Sequence, residues 1–342
     1  MIHWAMPSLL CRRTLLSTAA ALAAAPAHAA TEVAVGAYVI PGSPGAKLFT
    51  DYAERLKTKS NGALAPNMLI HGEGGSEEQV LTALRRGRIQ VASLSTLVLS
   101  SVMPEVGVLT IPFLFDSVDE VDFIIDNFII PRVNQLAADK GLVALRWLEL
   151  GPQNIFARKP ILTPADIKSV RIRTTQDIAT KLFLEVAQAD VIYLPSPDVI
   201  SSLQTGLLDG GVTPTIAYAE TGLVRDAPHY SLIGFCQIGN LILANKKWLE
   251  SLPTDHAQIV TDSFASNLEI RTLIRGAAAA GLTRQIELGF TAYELTPVQR
   301  AAWKAVAVGI NKKVIAEQGG QSQSLFDALQ AGKRAFAAQP AK

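Results

Sequence analysis

The chain has 342 residues, of which 49% are hydrophobic and 18% charged, and its formal net charge is +1. This composition excludes an intrinsically disordered chain, and the balanced charge removes the cationic surface that a nucleic-acid-binding protein needs. The two cysteines, Cys11 and Cys236, are too few for a disulfide-built scaffold. The length allows roughly two domains of about 100 to 200 residues each.

The N-terminal segment has the organisation of a signal peptide. An arginine pair precedes an apolar stretch at 14–25, and an Ala-His-Ala tripeptide that ends at Ala29 supplies a cleavage site of small residues. We therefore expect residues 1–29 to be removed near Ala29 and the rest of the chain to be exported. The arginine pair fits both an ordinary secretory signal and a twin-arginine signal, and both routes stay open.

A second apolar stretch, at 89–115, is interrupted by Pro104, Glu105 and Pro112. A transmembrane helix needs about 20 predominantly apolar residues in succession, so this stretch is not a candidate. We expect a mature protein that does not span a membrane.

Strand and helix patterns alternate in the first half of the chain. Ser76 and Gln79 have the spacing of a helix capping box, and Gly87 has the position of a helix stop. The predicted elements, in chain order, are a strand at 32–38, a helix at 46–59, a strand at 63–70, a helix at 76–87 and a strand at 89–94.

The second half repeats this alternation, which is typical of an α/β fold with a parallel-rich sheet. The similar helix units at 76–87 and 196–206 indicate two similar lobes, although ordinary βαβ units also resemble one another by chance. The predicted elements are strands at 169–174, 191–194 and 209–212 and helices at 177–188, 196–206, 297–318 and 322–338.

The segment from 254 to 289 consists almost entirely of helix-forming residues. One helix of this length would reach on the order of 50 Å and could brace two lobes. A break into two helices fits the pattern equally well. Gly276 and Gly281 are the candidate positions for a bend.

The familiar enzyme signatures are absent from the sequence. It contains no Gly-x-Ser-x-Gly, no His-Glu-x-x-His, no phosphate loop and no Cys-x-x-Cys. His71, His229 and His256 have no His or Cys at metal-ligand spacing. We therefore expect neither an enzyme nor a bound metal or cofactor. The Gly-rich loop at 72–75 is interpreted as the rim of a cleft.

Arg173 is the candidate ligand-binding residue. It shares one face of the predicted strand 169–174 with Arg171, and it is followed at once by polar residues. At the end of a strand that faces a cleft, a guanidinium offers a planar pair of donors that matches a carboxylate. The alternatives from spacing alone are a solvated arginine or a pair with Asp177.

Several short motifs occur along the chain in a recognisable order. They are Gly75-Ser76-Glu77, Ile111-Pro112-Phe113-Leu114-Phe115, Lys159-Pro160-Ile161, Pro164-Ala165-Asp166-Ile167-Lys168, Arg171-Ile172-Arg173 and Leu203-Gln204-Thr205-Gly206-Leu207-Leu208-Asp209-Gly210. With these motifs in family order and at family spacing, the chain resembles the solute-binding proteins of tripartite ATP-independent periplasmic (TRAP) transporters. The resemblance covers essentially the whole mature chain and implies a periplasmic location.

The resemblance implies a two-lobed α/β fold of the periplasmic-binding-protein type, with a hinge and a long helix that spans both lobes. It implies that the lobes close around a small carboxylate held by Arg173. The carboxylate would then pass to the small and large integral membrane subunits of a TRAP transporter. The implied lobes are 30–151 with 239–278 and 152–238 with 279–342.

Two positions depart from the family pattern. Relatives often have an arginine where this chain has Gln153, and an asparagine where it has Thr213. The loss of one cationic partner favours a monocarboxylate or a less polar acid over a sialic acid or a simple four-carbon diacid, while packing roles for both positions stay open. The resemblance also suggests further wall residues of the cleft, namely Tyr38, Ser95, Tyr218 and Phe235.

Two other functions remain compatible with the sequence. A binding protein that feeds a signalling receptor would have the same kind of cleft as one that feeds a permease. An exported enzyme would need a nucleophile or an acid–base pair in that cleft, and the sequence offers no such constellation.

Overall fold

The computed structural model describes residues 30–340, so the predicted signal peptide and its cleavage site at Ala29 lie outside the described residues. The described part contains one mixed sheet, which confirms the predicted α/β class. Its strands are β1 (Thr31–Gly36), β2 (Leu64–Leu69), β3 (Val91–Ser95), β4 (Leu142–Ala157), β5 (Arg171–Thr174), β6 (Asp190–Tyr193), β7 (Gly210–Pro214), β8 (His229–Asn245) and β9 (Thr291–Glu294).

Helices cover both faces of this sheet. Short 3-10 helices lie at Pro104–Thr110, Ser196–Asp198 and Leu223–Arg225, and a π-helical turn lies at Ile125–Ile129. The α-helices are α1 (Pro44–Lys59), α2 (Glu77–Arg85), α3 (Thr96–Leu99), α4 (Val118–Ile124), α5 (Ile130–Asp139), α6 (Ile178–Val186), α7 (Val199–Gln204), α8 (Thr215–Glu220), α9 (Lys246–Ser251), α10 (Thr254–Asp262), α11 (Asn267–Glu287), α12 (Pro297–Val306), α13 (Ile310–Gln318) and α14 (Ser322–Ala337).

The two long strands β4 and β8 lie side by side at the centre of the sheet and belong to both of its halves. The strand order is β2-β1-β3-β8-β4-β7-β5-β6, and β9 adds to β8. The C-terminal part of β8 pairs antiparallel with β3, and the C-terminal part of β4 pairs antiparallel with β7. Since β4 and β8 are themselves antiparallel, β3 and β7 run toward each other from opposite halves. The C-terminal ends of the strands in the two halves therefore face a common space.

The backbone of β4 and β8 is irregular where these strands cross from one half to the other. The β4–β8 register shifts between Glu149 and Gly151 and again between Gln153 and Ile155. Gly151 has φ +93° and Gly234 has φ +58°, conformations that residues with a Cβ rarely adopt. Bulged strands bend and twist more strongly than regular ones, so this crossing has the structure of a hinge.

The helical segment at 254–289 is divided into α10 and α11. Ser266 begins α11, because its side chain accepts from the Glu269 N–H and the Glu269 carboxylate bonds back to the Ser266 N–H. The 21 residues of α11 pack on α1 and β4 in one half and on α8 in the other. The second of the two predicted alternatives is therefore correct, and α11 alone spans the junction.

Three apolar clusters form the core. The largest lies on the face covered by α2, α4, α5, α6 and the C-terminal helices, and smaller ones lie under α1 with α11 and under α7 with α8. The C-terminal helices contact both halves: Trp303 donates its Nε1–H to the Leu162 carbonyl oxygen, whereas α14 packs on α4 and on 104–110. The lobe boundaries expected from the sequence stay a prediction.

No helix within residues 30–340 combines the length and the apolar character that crossing a membrane requires.

Candidate functional site

The candidate site lies in the space toward which β3 and β7 run. Ser95 is the last residue of β3, and Arg173 and Thr174 end β5, which is parallel to β7. Thr213 is the last residue but one of β7. Strand ends of this kind are the usual ligand positions of open α/β sheets. We call this space the interlobe cleft.

Arg173 is buried at the end of β5 and is held by neutral groups. Its Nε–H donates to the Leu194 carbonyl oxygen at 2.8 Å, and its Nη2 donates to Ser196 Oγ at 3.1 Å. Burial lowers the pKa of Arg173 to about 10, and the charge of Glu77 acts in the opposite direction. The guanidinium therefore stays protonated at neutral pH, with donors left over for a ligand.

Arg171, on the same face of β5, is already paired. It donates to Asp209 from Nε at 2.8 Å and from Nη2 at 2.7 Å. Asp177, the local acid considered for Arg173, instead caps α6 through the Thr180 N–H and accepts from the Thr110 hydroxyl at 2.9 Å. Among residues 30–340, no carboxylate lies within ion-pair distance of Arg173.

Thr213 and Gln153 lie on two neighbouring, paired strands, Thr213 near the end of β7 and Gln153 on β4. Thr213 lies opposite Asn154 in the register and Gln153 lies opposite Pro214, so the two predicted side chains point to opposite faces of the sheet. The Thr213 carbonyl oxygen accepts from the Tyr230 hydroxyl at 3.1 Å. Arg173 of β5 pairs with Gly211 of β7, which lies two residues before Thr213 and therefore on the same face. Of Thr213 and Gln153, it is thus Thr213 that shares its face of the sheet with Arg173.

Ser95 lies at the opposite wall, and its polar groups are already in use. Its N–H and its hydroxyl both donate to the Glu77 carboxylate, each at 2.8 Å. Its Oγ also accepts from the Val98 N–H and caps α3. Ser95 therefore positions Glu77 at this wall.

Tyr38 follows β1 at the rim of the same half. Its backbone forms an isolated bridge with His71, and the residue is 51% exposed. The Gly-rich loop at 72–75 follows His71 directly in the chain, and its place at the rim of the cleft stays a prediction. An exposed ring at this position can cover a ligand without serving the core.

The structure places Tyr218 and Phe235 in the core and not on the cleft wall. Tyr218 stacks on Tyr230 with ring centroids 4.1 Å apart and donates its hydroxyl to the Ala227 carbonyl oxygen. Phe235 is fully buried and stacks on Phe183 at 4.8 Å. Large aromatic side chains gain most by burial, which explains both corrections.

Three groups of the site escaped the sequence reasoning. Leu194 contributes only a backbone oxygen, which no side-chain pattern reveals. Ser196 was interpreted only as part of a helix start, and Glu77 only as part of the Gly75-Ser76-Glu77 motif at the start of a helix. The signal that could have identified Glu77 is its place directly after the Ser76 cap, where a helix meets the cleft.

Comparison with known proteins identifies the fold and the family. The family model of bacterial extracellular solute-binding proteins, family 7, matches residues 35–318. The chain is similar to the C4-dicarboxylate-binding periplasmic protein of Vibrio cholerae, with 28% identity over 258 residues, which cover 73% of this chain and 76% of that protein.

Solved structures share the two-lobed architecture. A TRAP solute-binding protein of Roseobacter denitrificans with bound β-D-glucuronate matches at TM-score 0.82 and 22% identity, covering 88% of this chain and 99% of that one. The sugar-acid-binding protein of Advenella mimigardefordensis, in complex with galactonate, matches at TM-score 0.83 and 24% identity, covering 89% and 99%. At this identity the matches establish the fold.

Proposed function

Because the chain belongs to the bacterial extracellular solute-binding proteins of family 7, the binding proteins of TRAP transporters, we propose that it captures a small organic acid in the interlobe cleft. The family consists of binding proteins and not of enzymes. The captured acid is then delivered to the small and large membrane subunits of a TRAP-type permease.

The observation that carries this proposal is the state of Arg173. A buried cation without a carboxylate partner is costly unless something supplies the missing charge. Arg173 is 7% exposed, and its protein partners, Leu194 and Ser196, are neutral. A ligand carboxylate would form charge-assisted hydrogen bonds with the free donors, and such bonds are stronger when a closed cleft excludes water.

The rest of the cleft favours an acid with one carboxylate. Thr213 and Ser196 add hydroxyl groups on the Arg173 side, Tyr38 covers the rim, and Ser95 acts through Glu77. Gln153 brings no second cation, so a second carboxylate would have no counter-charge there. The names of the relatives support the ligand class, since glucuronate and galactonate are both carboxylates.

The place of action follows from the family. Its members include periplasmic binding proteins, and export through a signal peptide cleaved near Ala29 would bring this chain to the same compartment. N-terminal sequencing of the protein secreted from its own cells tests the cleavage. A mature N-terminus far from Ala30 would contradict it.

A thermal-shift screen of the mature protein tests the ligand class. The panel contains small mono- and dicarboxylates, sugar acids and aromatic acids, with amines and neutral sugars as controls. A ligand at a hundredfold excess over its dissociation constant stabilises the native state by about 2.7 kcal/mol. We expect shifts with acids only. A shift with neutral sugars or amines and with none of the acids would overturn the proposal.

Delivery needs a separate test, because a protein that feeds a signalling receptor would bind the same ligand. The mature protein is added to proteoliposomes that contain the TRAP membrane subunits from the same genome, with an ion gradient imposed. We expect uptake of the bound acid only when the binding protein is present. Uptake without it, or none with it, would contradict delivery to this permease.

A further inference from the structure

Glu77 lies beside the end of β3, the strand that runs into the cleft from the half of the molecule opposite to Arg173. It is the first residue of α2, whose N-terminus is fixed by the capping box of Ser76 and Gln79. Its two carboxylate oxygens accept from the Ser95 N–H and hydroxyl at the end of β3. Helix start and strand end together hold this carboxylate in one orientation.

The carboxylate keeps acceptor capacity for a ligand. The two oxygens of an ionised carboxylate offer about four lone-pair positions, and Ser95 uses one on each oxygen. The carboxylate is half-buried, so its remaining positions are only partly satisfied by water. A ligand group that enters the cleft from the Arg173 side meets these free positions.

Two opposite charges face each other across the cleft. Burial is the main cause that raises the pKa of Glu77; the bonds from Ser95 oppose it, Glu78 on the same helix adds to it, and Arg173 on β5 opposes it. Glu77 in turn favours the charged form of Arg173, so the two groups are within electrostatic range of each other. Arg173 and Glu77 form no direct ion pair among the described residues, so the Arg173 guanidinium keeps free donors for a ligand.

This arrangement limits what a ligand can carry. A carboxylate bound at Arg173 comes close to Glu77, and a second carboxylate at its far end would add a like charge next to a half-buried one. A protonated amine or a hydroxyl at the far end would instead donate to Glu77.

We propose that Glu77 is a specificity-determining residue, which selects carboxylates that carry a hydrogen-bond donor at the far end and rejects diacids. This inference rests on the proposed function, because it assumes that Arg173 holds the first carboxylate. It assigns the two ends of the ligand to opposite halves of the molecule. Closure of the lobes then brings both recognition groups onto one ligand.

The test uses matched acids that differ only at the far end. Straight-chain acids of three to six carbons and para-substituted benzoates carry a methyl, hydroxyl, ammonium or carboxylate group at that end. Dissociation constants are measured by calorimetry for the wild type, for Glu77→Gln and for Glu78→Gln. Glu78 is the control, because it is the adjacent and exposed carboxylate of the same helix turn.

In the wild type, we expect the best hydroxy or amino acid to bind at least tenfold more tightly than the diacid of the same skeleton. Glu77→Gln should reduce this ratio at least tenfold, and Glu78→Gln should leave it unchanged. A ratio that Glu77→Gln does not alter, or a wild type that prefers diacids, would overturn the inference while leaving the proposed function intact.

Binding of none of the acids would overturn the proposed function, and this inference with it. Circular dichroism establishes whether Glu77→Gln is folded, which we expect because glutamine has nearly the same shape and the Ser76 cap is untouched. If that variant does not fold, the ratio measured on the wild type decides between the two outcomes.

Discussion

Arg275 of α11 donates two parallel hydrogen bonds to Glu149 of β4, from Nε to Oε1 at 2.8 Å and from Nη2 to Oε2 at 2.6 Å. The same guanidinium also pairs with Asp122 of α4. Glu149 lies two residues before Gly151, at the second of the three register shifts between β4 and β8. The helix that spans both halves is therefore ion-paired to the strand at the hinge.

Removing the charge of Glu149 should destabilise the protein measurably. Glu149 is buried, and Glu149→Gln leaves Arg275 with Asp122 alone. Breaking a fully buried pair costs about 3–5 kcal/mol. Because the Arg275 side chain is 33% exposed, we expect about 2 kcal/mol, or roughly a 4 °C lower thermal midpoint at this chain length.

Asp51→Asn is the control for that measurement. Asp51 pairs with Lys47 on an exposed face of α1, with Lys47 67% exposed, and a helix-surface pair of this spacing contributes about 0.5 kcal/mol or less. Thermal unfolding of both variants without ligand gives the comparison. Equal losses of stability in the two variants would show that the α11–β4 ion pair stabilises the protein no more than an exposed helix-surface pair does.

Arg173→Met should greatly weaken binding of the acid found in the screen while leaving the protein folded. Removing one partner of a desolvated, hydrogen-bonded charge pair costs about 3 kcal/mol, which weakens binding roughly 150-fold. The unliganded protein should lose little stability, because Arg173 has no ion-pair partner among the described residues. Calorimetric titration and thermal unfolding measure the two effects.

The matched variant is Arg171→Met, two residues earlier on the same face of β5. Arg171 donates its hydrogen bonds to Asp209, so its loss should lower the stability of the protein. The affinity of this variant for the acid should stay within about twofold of the wild-type affinity. The opposite pattern, with affinity lost in Arg171→Met and kept in Arg173→Met, would reverse the assignment of the clamp.

The parts of the fold that rest on local rules could be predicted from the sequence. The helix that begins at Ser76 has its cap and capping box at the predicted residues. The strand with Arg173 also lies where its alternation indicates. Caps and alternation involve residues within four positions of each other, so one sequence suffices to read them.

The extents of the hinge strands β4 and β8 could not be predicted from such local rules. β4 extends over 16 residues and β8 over 17, but bulges at 144–146, 149–151 and 153–155 break the two-residue period that identifies a strand. The partner of Arg173 is likewise a backbone oxygen of Leu194, 21 positions away. Tertiary pairing, which no local pattern records, decided these features and placed Tyr218 and Phe235 in the core.

The two glycines of α11 should respond in opposite directions to the same substitution. A Cβ at Gly276 meets nothing within 4 Å, so Gly276→Ala should stabilise the protein by about 0.8 kcal/mol through helix propensity alone. A Cβ at Gly281 would come within 2.8 Å of the Ala219 Cβ on α8. That distance is well inside van der Waals contact, so Gly281→Ala should lose about 1 kcal/mol net.

Thermal unfolding of the two variants side by side measures this contrast. Gln285 donates to the Ala219 carbonyl oxygen at 2.9 Å, so α11 and α8 are held together where the collision occurs. Equal stabilisation by both substitutions would mean that α8 moves away from the new methyl group at position 281 without a loss of stability. The position of Gly281 would then not depend on close helix packing.

Asp209 gives the protein a stability term that disappears in acid. The bonds from Arg171 are the main cause that holds the pKa of Asp209 below its ordinary value of 3.8. A depressed carboxyl pKa contributes stability above the unfolded-state value, and this contribution is lost as the pH falls through the folded-state value. Asp209→Asn should therefore cost about 1 kcal/mol at pH 7, a small figure because both side chains are partly exposed, and progressively less as the pH falls through the folded-state pKa of Asp209.

A double-mutant cycle with Arg171→Met isolates this term from the other effects of acid. Urea unfolding of the four proteins at pH 7, 5, 4 and 3 yields the coupling energy between the two side chains. We expect a constant coupling from pH 7 to 5 that falls below pH 4, because only the ionised Asp209 carboxylate accepts from both Arg171 nitrogens. A coupling energy that is the same at all four pH values would mean that the pair is held by packing and not by charge.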